Sequence, residues 1–162
     1  MIVFKKITFL DTEEEIDKKI NNLLNIIFMD DDEEENIFKI NPSLTDFLSI
    51  NEEIEEYAYE FKDKRGALIV TRKKLWDKFV DVINTAGVKY LDEDIQDLFY
   101  TGQIENDFFQ SNANIYMLKH MTIDEVLDKM NKYGKKYLTE IDYEILKKAK
   151  NLYNSTEKPT NL

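Results

Sequence analysis

The chain contains no cysteine and a single histidine, His120, among its 162 residues. The lack of cysteine excludes disulfide bonds, thiolate zinc sites, iron–sulfur clusters and a cysteine nucleophile. One histidine cannot form a two-histidine metal site, and it offers little support for a Ser-His-Asp triad. His120 lies between a predicted strand and a predicted helix cap, where we interpret it as an ordinary polar residue. We expect no cofactor and no bound metal.

Glycine, proline and long apolar runs are also scarce. The chain has four glycines and two prolines, with 43% hydrophobic residues, a composition typical of a folded chain and not of collagen or a disordered linker. The glycines are too far apart to form a phosphate-binding loop. No stretch approaches the roughly 20 apolar residues that span a bilayer, and no secretory signal is recognisable at the N-terminus. We therefore expect a cytoplasmic protein without a membrane partner.

Positive charge is in short supply in the first part of the chain. The whole sequence has 22 Lys and Arg against 33 Asp and Glu, a net charge of −11. Residues 1–64 hold 7 lysines and 18 acidic residues and so carry all of this excess, whereas residues 65–162 hold 15 of each. Such a field repels nucleic acid and anionic lipid and attracts basic proteins. Direct nucleic-acid binding is disfavoured because it needs cationic contacts to phosphates.

The N-terminal region predicts a strand followed by a helix. Residues 2–10 are rich in β-branched and aromatic side chains, which is typical of a strand. Thr12 and Glu15 have the spacing of a capping box and predict a helix over 13–28. The apolar residues of this helix recur at helical spacing: Ile16, Ile20, Leu23, Leu24, Ile27 and Phe28. Residues 37–40 predict a short strand.

A second helix is expected to be capped by Asn51 and ended by Gly66. Its expected inner face consists of four residues: Ile54, Tyr57, Ala58 and Phe61. Residues 67–71 predict a strand buried on both faces, and the apolar spacing over 75–83 predicts a helix that ends at Gly87.

The next segment predicts short elements. Asp92 is expected to cap a short helix that Gly102 ends, residues 103–112 are expected to form a loop, and residues 115–118 a last strand.

The C-terminal third predicts a helical hairpin. Thr122 and Glu125 form a second capping box, Gly134 ends that helix, and Thr139 caps the next one. The fold class is therefore expected to be α+β, a small mixed sheet with several amphipathic helices and a C-terminal helical hairpin. We expect an acidic domain over 1–120, the hairpin over 121–154 packed on it, and a frayed tail over 155–162.

The C-terminal segment also resembles a known module. The resemblance rests on three runs: Leu127-Asp128-Lys129-Met130-Asn131-Lys132-Tyr133-Gly134, Leu138-Thr139 and Leu146-Lys147-Lys148. They are similar to a short C-terminal module of unknown function that occurs on many Bacteroidetes proteins, including the tails of some rhomboid-family membrane proteins. This chain departs from the module at two points. Tyr137 stands where the module usually has a small polar residue, and Ile141 and Tyr143 stand at the start of the second helix, which in the module is rich in glutamate. The resemblance implies a bacterial origin and a helical hairpin, with no assigned reaction.

Charge and aromatic placement favour a non-catalytic interaction protein. We expect its acidic face to dock a basic protein partner, as an immunity protein or antitoxin does with a basic toxin, or as a nucleic-acid mimic such as an anti-CRISPR does. The expected partner-binding residues are acidic except for one aromatic residue that we place on an exposed helix face: Asp30, Asp31, Asp32, Glu33, Glu34, Glu35, Glu52, Glu53, Glu55, Glu56 and Tyr59.

Two alternatives remain open. Glu60-Phe61-Lys62 has the E-x-K form of metal-dependent nucleases, so a hydrolase or nuclease using carboxylates and a divalent metal is one of them. Here the motif falls at a predicted helix end, where such nucleases have a strand. The run Asp30–Glu35 offers oxygen ligands to Ca²⁺ or Mg²⁺ but lacks the alternation and glycine of an EF-hand. The other alternative is a structural subunit of a bacterial assembly.

Overall fold

The centre of the structure is a four-stranded sheet in the order β2-β3-β1-β4. Strand β1 (Ile2–Phe9) pairs on one side with β3 (Gly66–Arg72) and on the other with β4 (Tyr90–Asp94), and the two-residue β2 (Tyr59–Glu60) extends β3. All three pairings are antiparallel. The α+β class is thus confirmed, with a sheet that is antiparallel throughout and not mixed.

The computed structural model describes residues 1–29 and 46–157. The acidic run Asp30–Glu35, the strand predicted over 37–40 and residues 158–162 lie outside this part. Seven α-helices lie within it: α1 (Glu13–Met29), α2 (Phe47–Tyr57), α3 (Lys73–Ala86), α4 (Gln96–Tyr100), α5 (Asp107–His120), α6 (Ile123–Tyr133) and α7 (Glu140–Glu157).

Each face of the sheet is covered by its own layer of helices, because side chains alternate between the two faces of a strand. Phe4 and Val70 point into a core formed with α4 to α7, where Phe109 and Tyr116 are completely buried. The odd-numbered residues of β1 and β3 point the other way, into a core formed with α1 to α3: Val3, Ile7 and Ile69. The prediction that residues 67–71 are buried on both faces is confirmed.

The helix boundaries predicted from Thr12, Thr122 and Gly87 are confirmed. The Glu15 and Glu125 N–H groups donate to Thr12 and Thr122, and each threonine hydroxyl donates back to its glutamate. Gly87 ends α3 with a φ of +80° and a ψ of 19°, in the left-handed region that favours glycine.

The second helix differs from its prediction in place and length. It begins at Phe47 and ends at Tyr57, so Asn51 lies inside it and Phe61 lies beyond it. Tyr59 was predicted on the exposed face of this helix, and that was wrong. It lies on β2, paired with Leu68, and is half-buried. Helix α2 ends early because Tyr59 and Glu60 find strand partners on β3.

Two short elements were also mispredicted. Asp92 caps no helix and lies on β4 opposite Ile7 of β1. Residues 103–112 and 115–118, predicted as loop and strand, are largely helical, because α5 runs from Asp107 to His120. Its N-cap is Asn106, whose side-chain oxygen accepts a hydrogen bond from the Phe109 N–H at 2.8 Å.

A candidate docking groove between α1 and α2

Helix α1 covers its face of the sheet incompletely. An amphipathic helix on a core normally buries its apolar stripe. In α1 the stripe residues Ile16, Ile20 and Leu24 are only half-buried, and no α1 side chain from Glu13 to Asn25 is buried. The part of the stripe that residues 1–29 and 46–157 leave uncovered faces a groove that α2 closes on the other side.

The groove consists of two adjoining depressions over the sheet, with volumes of about 370 and 460 Å³. They share six lining residues and so form one continuous surface: Phe9, Asn51, Glu55, Glu60, Lys64 and Phe79. Most of the remaining lining is apolar: Ile7, Ile16, Ile20, Leu24, Phe47, Leu48, Ile54, Ala58, Ala67, Ile69 and Ile83. These volumes lie within the range of about 300–1,000 Å³ that is usual for binding clefts.

The rim of the groove is negatively charged. Glu13 and Asp17 line it from α1, Glu55 from α2 and Glu60 from β2, and all four are exposed. Lys64 is the single cationic residue in the described lining. A low-dielectric wall flanked by carboxylates concentrates the negative potential, so the groove favours ligands that carry positive charge.

Leu48 offers an apolar contact at the mouth of the groove. It follows the buried Phe47 on α2, and 64% of its side chain is exposed. An exposed leucine is unremarkable by itself. Here it lines the same depression as the half-buried stripe of α1, so both helices contribute apolar surface to the groove.

The start of α1 is anchored by a buried carboxylate. Asp11 accepts hydrogen bonds from the Lys19 ammonium at 2.6 Å and from the Lys89 N–H at 3.0 Å, and Lys19 also donates to the Gly87 carbonyl. The Lys19 hydrogen bond, followed by the Lys89 N–H, lowers the pKa of Asp11. This cluster fixes α1 to the turn after α3 and thereby positions the α1 wall of the groove.

The predicted docking residues are only partly brought together. Glu52, Glu55 and Glu56 are exposed on α2, and Glu55 lines the groove, where it accepts a hydrogen bond from Asn51 at 3.2 Å. Tyr59 lies at the sheet edge, with its ring centroid 6.1 Å from that of Phe108. The residues from Asp30 to Glu35 lie outside the described part.

Glu53 belongs to an internal network and not to a free acidic face. Its carboxylate accepts hydrogen bonds from one Arg72 guanidinium nitrogen at 2.9 and 3.2 Å and from the Tyr116 hydroxyl at 3.1 Å. The Tyr116 hydroxyl in turn accepts from the Arg72 N–H at 2.9 Å. Glu53 joins α2 to β3 and α5, and its charge is balanced by Arg72. Its role as a partner-binding residue stays a prediction, and its carboxylate is already engaged by Arg72 and Tyr116 within the fold.

His120 packs against the same network at the end of α5. Its ring centroid lies 4.5 Å from that of Tyr116, and its side chain is half-buried. Burial, and then the nearby positive charge of Arg72, lowers the pKa of His120.

Four residues that line the groove were not predicted as site residues: Glu13, Asp17, Lys64 and Leu48. Glu60 was considered only as part of the E-x-K motif. One signal was available for Leu48, because it is an apolar residue next to Phe47 and so must lie partly off the buried face. The others carry no local signal, since their role depends on the spacing between α1 and α2.

No group of three or more histidine, aspartate or glutamate side chains is placed to hold a metal ion within residues 1–29 and 46–157. Of the E-x-K motif, Glu60 lies on β2, as the motif's strand context requires, and lines the groove rim, while Lys62 lies in the following turn.

Comparisons with known protein families, with curated proteins and with solved structures found no match to this chain. The resemblance of residues 127–148 to the Bacteroidetes module therefore stays a prediction. In the described part of the chain, no helix has the length and apolar character needed to cross a bilayer.

Proposed function

We propose that the chain is a non-catalytic interaction protein whose α1–α2 groove binds an amphipathic segment of a basic protein. The apolar lining would take the apolar side chains of that segment, and flanking lysines or arginines would pair with Glu13, Asp17, Glu55 and Glu60. Helix-in-groove recognition uses this division between apolar anchors and a charged border. The observation that carries the proposal is the combination of an apolar stripe that the described residues leave open with a four-carboxylate rim.

The charge distribution of the whole chain supports a basic partner. The net charge of −11 arises entirely within residues 1–64, which contain both walls of the groove. Complementary fields accelerate association and discriminate against acidic competitors. A basic toxin or a nucleic-acid-binding enzyme has the required chemistry, so the concrete forms of the proposal are an immunity protein, an antitoxin or a nucleic-acid mimic such as an anti-CRISPR, acting in the cytoplasm.

A defined probe tests the groove directly. A fluorescently labelled amphipathic peptide of leucine and lysine should bind the full chain in an anisotropy titration, whereas a leucine–glutamate peptide of the same pattern should not. Affinity should fall as salt is raised, because the exposed carboxylates are screened.

Matched variants distinguish the groove from general acidity. Leu48→Asp should weaken binding about tenfold or more, a loss of about 1.4 kcal/mol, while Leu91→Asp, at a residue 61% exposed on β4, should not. Neutralising Glu13, Asp17, Glu55 and Glu60 to amides should weaken binding more than neutralising four exposed carboxylates elsewhere: Asp92, Glu93, Glu105 and Asp128.

Two outcomes would overturn the proposal. One is equal loss of peptide affinity in the groove variants and their controls, because binding would then follow net charge alone. The other is a dimer, detected by light scattering, that Leu48→Asp dissociates, because the groove would then be filled by a second copy of the chain.

A further inference from the structure

A second cavity lies on the other face of the sheet, between the end of α4, helix α5 and the turn from α6 to α7. Its volume is about 290 Å³, and its apolar side is formed by Phe99, Tyr100 and Met117. Its polar lining includes Thr101, Gln110, Asn114, Lys129, Lys136 and Thr139. The hydroxyls of Thr101 and Thr139 already donate to the Asp97 carbonyl and to Asp142, so the amides and ammonium groups supply the donors that a ligand could use. Although the chain has 33 acidic residues, none in the described part lines this cavity.

Lys129 is the least expected of these residues, because its side chain is 2% exposed. Its ammonium lies 2.6 Å from the Asp142 carboxylate and 4.5 Å from the centroid of the Tyr100 ring. A buried ion pair adds little net stability, because removing both charges from water costs as much as their attraction returns. Stability alone therefore does not account for an ammonium group at this cavity wall.

Some N–H groups that line this cavity remain available as hydrogen-bond donors. An ammonium group has three N–H donors, and within residues 1–29 and 46–157 Lys129 forms one hydrogen bond, to Asp142. The side-chain amides of Gln110 and Asn114 form no hydrogen bond within the same part of the chain, and both residues are half-buried. Lys136 adds an exposed positive charge at the mouth of the cavity.

We infer that this cavity binds a small oxyanion, a phosphate- or carboxylate-bearing molecule, held by Lys129, Lys136 and the amides of Gln110 and Asn114. Charge-assisted hydrogen bonds to an oxyanion are shorter and stronger than neutral ones. The inference is independent of the docking groove, since the two sites lie in different cores of the molecule.

Titration of the full chain with inorganic phosphate, and separately with acetate, tests the site at constant ionic strength set by chloride. Saturable shifts in the NMR signals of Gln110, Asn114, Lys136 and Thr139 are expected for at least one of the two anions. The anion that binds more tightly identifies whether the natural ligand carries a phosphate or a carboxylate. No saturable shift for either anion would overturn the inference.

Adjacent lysines provide a matched pair of variants. Lys136→Gln should weaken anion binding about tenfold or more, the value of a hydrogen bond to a charged group. Lys135→Gln removes the same charge from the same exposed turn but lies outside the cavity lining, and it should leave the affinity within about twofold. Equal effects of the two variants would show non-specific attraction and contradict the inference.

A double variant probes the buried wall without leaving a lone charge. Lys129→Met combined with Asp142→Leu should keep the native circular dichroism spectrum and lose about tenfold or more in anion affinity. A folded double variant that binds phosphate and acetate as tightly as the parent chain would also overturn the inference.

Discussion

Arg72 and Glu53 lie 2.9 Å apart and connect the end of strand β3 to the middle of helix α2. The pair is reinforced by the fully buried Tyr116, whose hydroxyl donates to Glu53 and accepts from the Arg72 backbone. A carboxylate that the charge pattern assigns to the surface thus holds two layers of the fold together.

Glu53→Ala should therefore destabilise the fold. Loss of hydrogen bonds to charged groups costs about 1.5–3 kcal/mol in the free energy of unfolding. Glu52→Ala, at the neighbouring exposed position, should change it by no more than about 0.5 kcal/mol. Urea unfolding followed by circular dichroism measures both, and similar values for the two variants would show that the network contributes nothing particular.

The buried Lys129–Asp142 pair predicts a strong asymmetry between single and double substitution. Asp142 accepts hydrogen bonds from Lys129, from the Thr139 N–H and from the Thr139 hydroxyl. Asp142→Ala should lose about 3–5 kcal/mol, because it leaves an uncompensated buried charge. Lys129→Met with Asp142→Leu should recover most of that loss, as measured by urea unfolding.

The exposed pair of Lys132 and Asp97, 3.3 Å apart, serves as the control for this experiment. Lys132→Ala should cost far less than Asp142→Ala, since water screens both charges. A cost as large as that of Asp142→Ala would contradict the assignment of the effect to burial.

Gly66→Ala should destabilise the sheet by steric conflict. A β-carbon at Gly66 would lie 2.2 Å from the Ile7 carbonyl oxygen of the paired strand, which is backbone and cannot rotate away. We expect a loss of about 1–3 kcal/mol or more, as for other overpacked positions. The thermal unfolding midpoint should fall accordingly.

Gly87→Ala gives a contrasting case for the same measurement. Nothing lies within 4 Å of the added carbon, and the cost of about 1–2 kcal/mol comes from the φ of +80° alone. A Gly66→Ala variant as stable as the parent would show that β1 and β3 are farther apart than the structure places them.

The depressed pKa of Asp11 makes part of the stability dependent on pH. Folding favours the ionised form, so the contribution is fully present above the unfolded pKa of about 3.8 and is lost as the pH falls through the lower folded value. Asp11→Asn should be less stable than the parent chain at pH 7, and the difference should shrink below about pH 4.

Urea unfolding at pH 7, 5 and 3 checks this expectation. Glu14→Gln, at an exposed position on α1, controls for the removal of one negative charge. A difference between Asp11→Asn and the parent chain that is constant across the three pH values would contradict the role given to the Lys19 contact.

Elements with strong local signals were predictable from the sequence. The strand over 2–10, the helix over 13–28 and the helix ending at Gly87 follow from side-chain periodicity and caps, which act within a few residues. Helix α5 was not predicted, because its apolar residues are distributed around all sides of the helix. Phe109 and Tyr116 are completely buried, while Phe108 and Ile115 are 64% and 49% exposed, so no single face stands out.

Strand β4 was missed for the opposite reason. Its residues from Leu91 to Asp94 are exposed, and three of the four are acidic, which is unfavourable for a strand by propensity. Pairing with β1 overrides that preference. Propensity alone could not reveal it, because the partner strand lies more than 80 residues earlier in the chain.

Only the acidic part of the docking groove could be predicted from the sequence. The acidic excess of residues 1–64 follows from counting, and Glu52, Glu55 and Glu56 are exposed as expected. The apolar part could not be predicted, because periodicity shows that α1 has an apolar stripe but not how much of it the core covers.

The interior position of β1 also determines when the molecule can fold during translation. Residues paired between β1 and β3 are separated by 58 positions for Thr8 and Gly66 and by 70 for Ile2 and Arg72. At about 5–20 residues per second, the ribosome exposes β1 for several seconds before its neighbour emerges. The nascent chain must therefore keep a β-branched, aromatic segment from aggregating during that interval, and a slowed elongation rate would prolong its exposure.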